Sequence, residues 1–165
     1  FINSNTGDIF IVLHQMGKHG PDYFKRYPSA FKKFTPECDT KQIEQCSSEE
    51  LINSYDNAIL YTDYVLSKTI ALLKNYQIEN ETALLYVSDH GKSLGENRVY
   101  LHGMPYFIAP EAQTKVASFA WFSDNFTANK NTSNEDLSQD NIFSTLLGLF
   151  NISSSVYDSK KDLFK

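Results

Sequence analysis

Three short apolar runs and two longer periodic stretches divide the chain. Asp8-Ile-Phe-Ile-Val-Leu13, Ala83-Leu-Leu-Tyr-Val87 and Ser118-Phe-Ala-Trp-Phe122 are compact and rich in β-branched or aromatic residues, the pattern of buried strands. Between the first two, Leu51, Tyr55, Ala58, Ile59, Thr62, Leu66, Ile70 and Leu73 recur at helical spacing. They follow Ser47-Ser-Glu-Glu50, which has the form of a capping box, so a long amphipathic helix is predicted to end near Asn75. Leu137, Ile142, Phe143, Leu146, Leu147 and Phe150 predict a final amphipathic helix, and Leu163 and Phe164 a small apolar cluster in the tail. The order strand, helix, strand, strand, helix predicts an α/β fold with a largely parallel sheet covered by helices.

Two polar segments interrupt this pattern. From Tyr23 to Phe34 the aromatics Tyr23, Phe24, Tyr27, Phe31 and Phe34 alternate with Lys25, Arg26, Lys32 and Lys33. Such interleaving occurs in nucleic-acid binders, but five aromatics in one loop are expected to pack it onto a core. Contact of the lysines with anionic lipid headgroups is the weaker alternative. Asp124 to Asp136 is rich in asparagine and reads as a solvated loop or edge insertion.

At 165 residues and 41% hydrophobic the chain has enough apolar side chains for one domain with a real core. Its net charge of -5 leaves no basic block to neutralise a nucleic-acid backbone, which excludes that partner. No apolar run reaches the length needed to cross a bilayer. With no initiator methionine or leader at Phe1, the chain reads as a partial product.

The candidate chemistry lies where the apolar runs end. Ala83–Val87 leads into Ser88-Asp-His-Gly91, and a carboxylate beside an imidazole at a strand's carboxyl end is half of a plausible zinc site. Adjacent side chains on a strand face opposite ways, so Asp89 and His90 can share a ligand only where the chain bends, and Gly91 is expected to supply that bend. Asp8–Leu13 delivers His14 and then Gly17-Lys-His-Gly-Pro21, whose glycines around His19 imply backbone held close to something. Tyr100-Leu-His-Gly103 supplies another histidine candidate, His102.

Taken together, Ser88-Asp-His-Gly-Lys-Ser-Leu-Gly-Glu-Asn97, Tyr100-Leu-His-Gly103 and Pro105-Tyr106 resemble the signature of the phosphoethanolamine transferases that decorate bacterial lipid A, members of the alkaline phosphatase and sulfatase superfamily. The resemblance extends through His14-Gln-Met-Gly-Lys-His-Gly-Pro21, Lys25-Arg-Tyr-Pro28, Phe34-Thr-Pro36, Cys38-Asp-Thr40, Tyr55-Asp-Asn57, Ala109-Pro110 and Trp121-Phe-Ser123, in family order. It implies that residues 1–165 are the carboxyl-terminal part of one periplasmic αβα catalytic domain, with inner-membrane helices, a threonine nucleophile and an acidic zinc ligand upstream. It implies zinc held by Asp89 and His90, with His19 and His102 orienting phosphoryl oxygens and one of them acting as general acid. It implies a phosphatidylethanolamine donor and lipid A or another envelope acceptor. His14 is expected to do no more than hydrogen-bond at its strand end, and Tyr55-Asp-Asn57, on the long helix, is assigned to packing and hydrogen bonding.

Cys38 and Cys46 are the only cysteines, and the resemblance implies that they form a disulfide, as suits an oxidising compartment. Zinc ligation by this pair is the poorer reading, since neither a Cys-x-x-Cys spacing nor a second pair exists. The chain departs from the family pattern at Lys92, where glutamate is usual, and at Lys18, where serine is usual. Two other readings stand beside the transferase: another sulfatase-like hydrolase or phosphoglycerol transferase, and a non-catalytic scaffold with the same fold.

Overall fold

The computed structural model describes residues 1–127 and 137–165, so most of the asparagine-rich segment lies outside the described residues. The described chain divides into two compact units, residues 14–124 and residues 1–13 with the described part of 125–165.

The larger unit is built on helix α1, Ser48–Lys74. Ser47 Oγ accepts from the Glu50 backbone N–H at 3.2 Å, and Glu50 Oε2 accepts from the Ser47 N–H at 2.7 Å, so the capping box closes as the sequence implies. The face at Leu51, Ser54, Ala58 and Thr62 is buried, at helical spacing, whereas Ile59 is exposed. This face packs on the single turns Tyr23–Lys25 and Ser29–Phe31, so the aromatic loop is part of the core. Tyr23 meets Tyr55 edge-on at 5.5 Å, and Phe31 sits against Tyr61 and Tyr64. The wholly buried Asn57 holds the loop: its Oδ1 accepts from the Lys33 and Phe34 N–H groups, and its Nδ2 donates to the Phe34 carbonyl.

The Cys38–Cys46 disulfide forms, with Cys38 in one cluster with Tyr23, Ile43 and Leu51. It closes a loop of sequence separation 8. Replacing both cysteines by serine is expected to cost about 2–3 kcal/mol. A thermal melt should show a midpoint lower by about 5–10 °C. An unchanged midpoint would mean that the aromatic core alone holds the loop.

Strands β1, Ala83–Val87, β2, Ser93–Leu94, β3, Tyr100–Leu101, and β4, Ser118–Phe122, with the short helix α2, Glu111–Thr114, complete this unit. β1 pairs antiparallel with β4, Leu85 opposite Ala120, and β2 pairs antiparallel with β3, Ser93 opposite Leu101. This corrects the expected topology: among the described residues there are two antiparallel pairs, and the large parallel sheet is not seen. β4 is a strand as predicted, but Ser118, Phe119 and Ala120 are exposed and β1 is at most half-buried, because a two-stranded sheet covers little of its own surface.

In the smaller unit, Asp8–Leu13 is not a strand. It has no ladder partner among the described residues, and Phe10, Ile11, Val12 and Leu13 are exposed, so the apolar run alone does not make a buried strand. Helix α3, Asp140–Leu149, forms, and Phe10 meets Phe150 edge-on at 5.7 Å. The face of α3 that is buried carries Ser144 and Thr145, while Leu137, just before the helix, and Phe143 are exposed. The tail explains this choice: Ser144 Oγ accepts from the Asp158 N–H and Thr145 Oγ1 from the Leu163 N–H, which satisfies backbone groups and leaves Phe164 buried.

Candidate active site

Three loops of the larger unit converge. The first is the turn Met16–His19, in which the His19 N–H donates to the Met16 carbonyl at 3.1 Å and Gly17 takes φ +50°, a conformation open to glycine. Arg26 Nε donates to the His19 carbonyl at 2.6 Å, pinning the histidine backbone from both sides. His14, just before this turn, is exposed.

The second loop leaves β1 at Val87. The Ser88 N–H donates to Ala117 carbonyl oxygen, and Ser88 Oγ donates to the carbonyl of His90. The chain bends at Asp89, and the His90 N–H donates back to Asp89 Oδ1 at 3.0 Å. Gly91 is needed for a different reason from the one expected. Its N–H donates to the Gln113 carbonyl at 3.0 Å, and a Cβ on it would overlap the Ala112 carbonyl oxygen, so close approach to α2 excludes any side chain.

The third loop is the β2–β3 hairpin, turned at Gly95 with φ +113° and anchored by Leu94 and Leu101, which pack on the aromatic core. Pairing of Ser93 with Leu101 makes Lys92 and His102 neighbours at the open end of the hairpin, and Lys92 Nζ lies 3.4 Å from His102 Nδ1. His102 is flanked by two left-handed residues, Leu101 at φ +63° and Gly103 at φ +104°.

A buried residue that carried no signal in the sequence joins these loops. Gln113, 7% exposed on α2, accepts the Gly91 N–H through its carbonyl. Its Nε2 donates to buried Ser93 Oγ at 3.0 Å, and its Oε1 accepts from the Met104 N–H at 3.3 Å. One glutamine thus ties the strand exit, the hairpin and the segment after His102 together.

These loops bring His19, Asp89, His90 and His102 to one place. His90 and His102 stack with centroids 3.8 Å apart, and the His19 and His102 rings lie 6.4 Å apart. His90 Nδ1 is 2.9 Å from the Gly91 carbonyl, which can only accept, so Nδ1 carries the proton and neutral His90 keeps its lone pair on Nε2. That atom lies 3.7 Å from Asp89 Oδ2. Two ligands on a tetrahedral zinc stand about 3.3 Å apart, so the pair fits the metal as two of its donors after a small adjustment. No set of three or more His, Cys, Asp or Glu side chains among the described residues gathers around one point. The described residues thus offer at most two donors to a metal here, at a place open to solvent, with Asp89 80% exposed.

The surroundings are cationic. An ammonium can only donate, so Lys92 fixes the lone pair of His102 on Nδ1 and the proton of neutral His102 on Nε2. Burial, with Lys92, His90 and His19 nearby, holds the His102 pKa below the usual imidazole value, against an opposing pull from Asp89. Burial likewise lowers Lys18 and Lys92, with Asp89 opposing in both and Arg26 and Lys18 adding to the effect at Lys92. Lys18 Nζ also lies 5.7 Å from the Tyr55 ring centroid.

A family model described as Sulfatase matches residues 1–152. Over its whole length the chain is 49% identical to the phosphoethanolamine transferase EptA of Salmonella typhimurium, of which it spans 32%. Its fold is similar to the solved soluble domain of lipooligosaccharide phosphoethanolamine transferase A from Neisseria meningitidis, with TM-score 0.92, 42% identity, and coverage of 99% of this chain and 52% of that one. It is also similar to the C-terminal periplasmic domain of phosphoethanolamine transferase EptC from Campylobacter jejuni, with TM-score 0.80, 54% identity, and coverage of 89% and 48%. The chain thus spans about a third of the curated relative and about half of these solved domains.

Proposed function

The chain belongs to the Sulfatase family, and on that footing we propose that it is the later part of the periplasmic catalytic domain of a zinc-dependent, inner-membrane phosphoethanolamine transferase. The donor is phosphatidylethanolamine, and the acceptor is lipid A or another envelope molecule. The group passes through a covalent intermediate on a threonine outside this chain. The observation that carries this reading is the arrangement of Asp89 and His90: a carboxylate and an imidazole whose free lone pair faces it, beside two further histidines.

Asp89 and His90 would hold the zinc, with its remaining ligands from outside the described residues, and the metal would supply a Lewis acid able to lower a hydroxyl's pKa and polarise phosphoryl oxygens. The chain's own residues do the rest. The Gly91 carbonyl keeps His90 in the tautomer that leaves Nε2 able to ligate. His102 presents Nε2–H as a donor to a phosphoryl oxygen, because Lys92 occupies the opposite nitrogen. His19, on its pinned turn with its ring 6.4 Å from that of His102, offers a second contact.

The test is zinc content by elemental analysis of the natural polypeptide that carries this chain, against its Asp89→Ala, His90→Ala double variant. The unsubstituted protein is expected to retain zinc through dialysis and the variant to lose it, together with diacylglycerol release from phosphatidylethanolamine. If neither protein holds zinc, the catalytic reading fails and a non-catalytic scaffold is the better account.

A further inference from the structure

Leu101 holds a backbone conformation that leucine avoids. It takes φ +63°, in the left-handed region, where a Cβ crowds the following carbonyl and where glycine sits without steric cost. Such a residue persists only where its surroundings over-determine it. Here the surroundings are the aromatic cluster and the His19 turn. The half-buried Leu101 side chain packs on the cluster of Tyr23, Cys38, Ile43 and Leu51, and Leu101 pairs across the hairpin with buried Ser93. It also meets Gly20, the residue after His19, so closely that a Cβ on Gly20 would stand 2.8 Å from Leu101 Cδ2. The same Cβ would stand 2.8 Å from Cζ and Oη of Tyr23, which is 1% exposed and fixed in a close-packed core. Leu101 thus touches the chain neighbour of one histidine and is itself the chain neighbour of another.

We infer that Leu101 is a positioning residue for two histidines: its side chain, in contact with both the aromatic cluster and Gly20, holds the left-handed turn that stacks His102 on His90 and sets His102 against His19. Glycine at this position would take the same φ without strain, but it would have no side chain to tie His102 to the His19 turn. Strain at position 101 is therefore kept for the contact that the leucine makes. The consequence for catalysis rests on the transferase reading, whereas the ring geometry does not.

The experiment takes the natural polypeptide that carries this chain and its Leu101→Gly, Leu101→Met, His102→Ala and Leu101→Gly, His102→Ala variants, with zinc content measured on each sample. The first readout is NMR of the imidazole protons at about pH 9, where histidines are neutral, with the His102 resonances assigned by their loss in His102→Ala. A ring stacked on another is shielded by it, so the His102 protons are expected to move downfield in Leu101→Gly and to stay in place in Leu101→Met. Unchanged His102 resonances in Leu101→Gly would overturn the inference. The second readout is diacylglycerol release from phosphatidylethanolamine. Leu101→Gly is expected to lower kcat about 10- to 100-fold with zinc content kept, and Leu101→Met to stay within about threefold. In the His102→Ala background the loss caused by Leu101→Gly should be at least about fivefold smaller, because part of its effect passes through the ring already removed. Equal losses in the two backgrounds would make the role merely structural and overturn the inference. If Leu101→Gly does not fold, Gly20→Ala drives a Cβ into the same contact from the His19 turn: displaced His102 resonances support the inference, and unchanged ones overturn it. If the unsubstituted protein releases no diacylglycerol, the transferase reading fails, while the resonances still decide the positioning.

Discussion

Alanine at position 91 is expected to remove both the stability and the geometry of the site. A Cβ there would overlap the Ala112 carbonyl oxygen and stand 2.9 Å from its carbon and 3.1 Å from Gln113 Cα. These are backbone atoms, so no side-chain rotation relieves the clash. Either α2 moves away or the loop after β1 does, and both break the Gly91 N–H bond to Gln113. Overpacking of this kind costs about 1–3 kcal/mol, and the lost bond about 1 more. In a protein of this size a total near 3 kcal/mol lowers the melting midpoint by roughly 6–12 °C. The effect on activity should exceed the effect on folding. Gly91 stands between His90 and Lys92, and Gln113 also holds Ser93 and Met104, so one displacement moves Asp89, His90, Lys92 and His102 relative to one another. Misplacement by about 1 Å costs on the order of 10²-fold in rate. The measurement is transfer rate and thermal melt on the same preparation. A Gly91→Ala protein with unchanged midpoint and unchanged rate would show that α2 does not press on this loop.

Replacing His102 by alanine is expected to reduce transfer by about 10²–10³-fold with zinc content unchanged. That is the size found when one preorganised donor to a developing phosphoryl or oxyanion charge is removed. The expectation follows from its tautomer: Lys92 on Nδ1 leaves Nε2–H as a fixed donor. Glutamine, which keeps an amide N–H of similar reach, should recover part of the rate. Loss of zinc in His102→Ala would instead place this histidine among the ligands, and equal rates in the alanine and glutamine variants would remove the donor role. Its exposed position makes the substitution cheap for folding, so a changed rate reports on the site.

The elements that depend on local chemistry were legible from the chain alone. The capping box and periodicity of Ser47–Asn75 specify α1 with no outside help, because both are contacts within one or two turns. Of the aromatics of Tyr23–Phe34, Tyr23 and Tyr27 are buried as their number implies whereas Phe34 is exposed, and Cys38 and Cys46 join. Asp8–Leu13 and the parallel sheet were misjudged from the same sequence, since an apolar run states a wish for burial and not the partner that grants it. Periodicity likewise marked the apolar face of α3 and missed that Ser144 and Thr145 receive the tail.

The residue types of the site were visible in the sequence; their arrangement was not. Asp89 and His90 are neighbours in the chain, so their closeness needed only a bend. His19 lies 83 positions upstream of His102, and only tertiary packing brings the two rings together. The pairing of Lys92 with His102 was available as a Lys-Ser-Leu-Gly and Tyr-Leu-His hairpin around a glycine, but strands of two residues carry too little pattern to register it. Gln113 left no trace, because a buried glutamine matters only through partners supplied by three other segments. The sequence by itself determined the chemistry on offer and the local elements that carry it. Tertiary structure decided which nitrogen of His90 and of His102 is free, because that depends on which carbonyl or ammonium stands opposite, and no pattern along the chain encodes it.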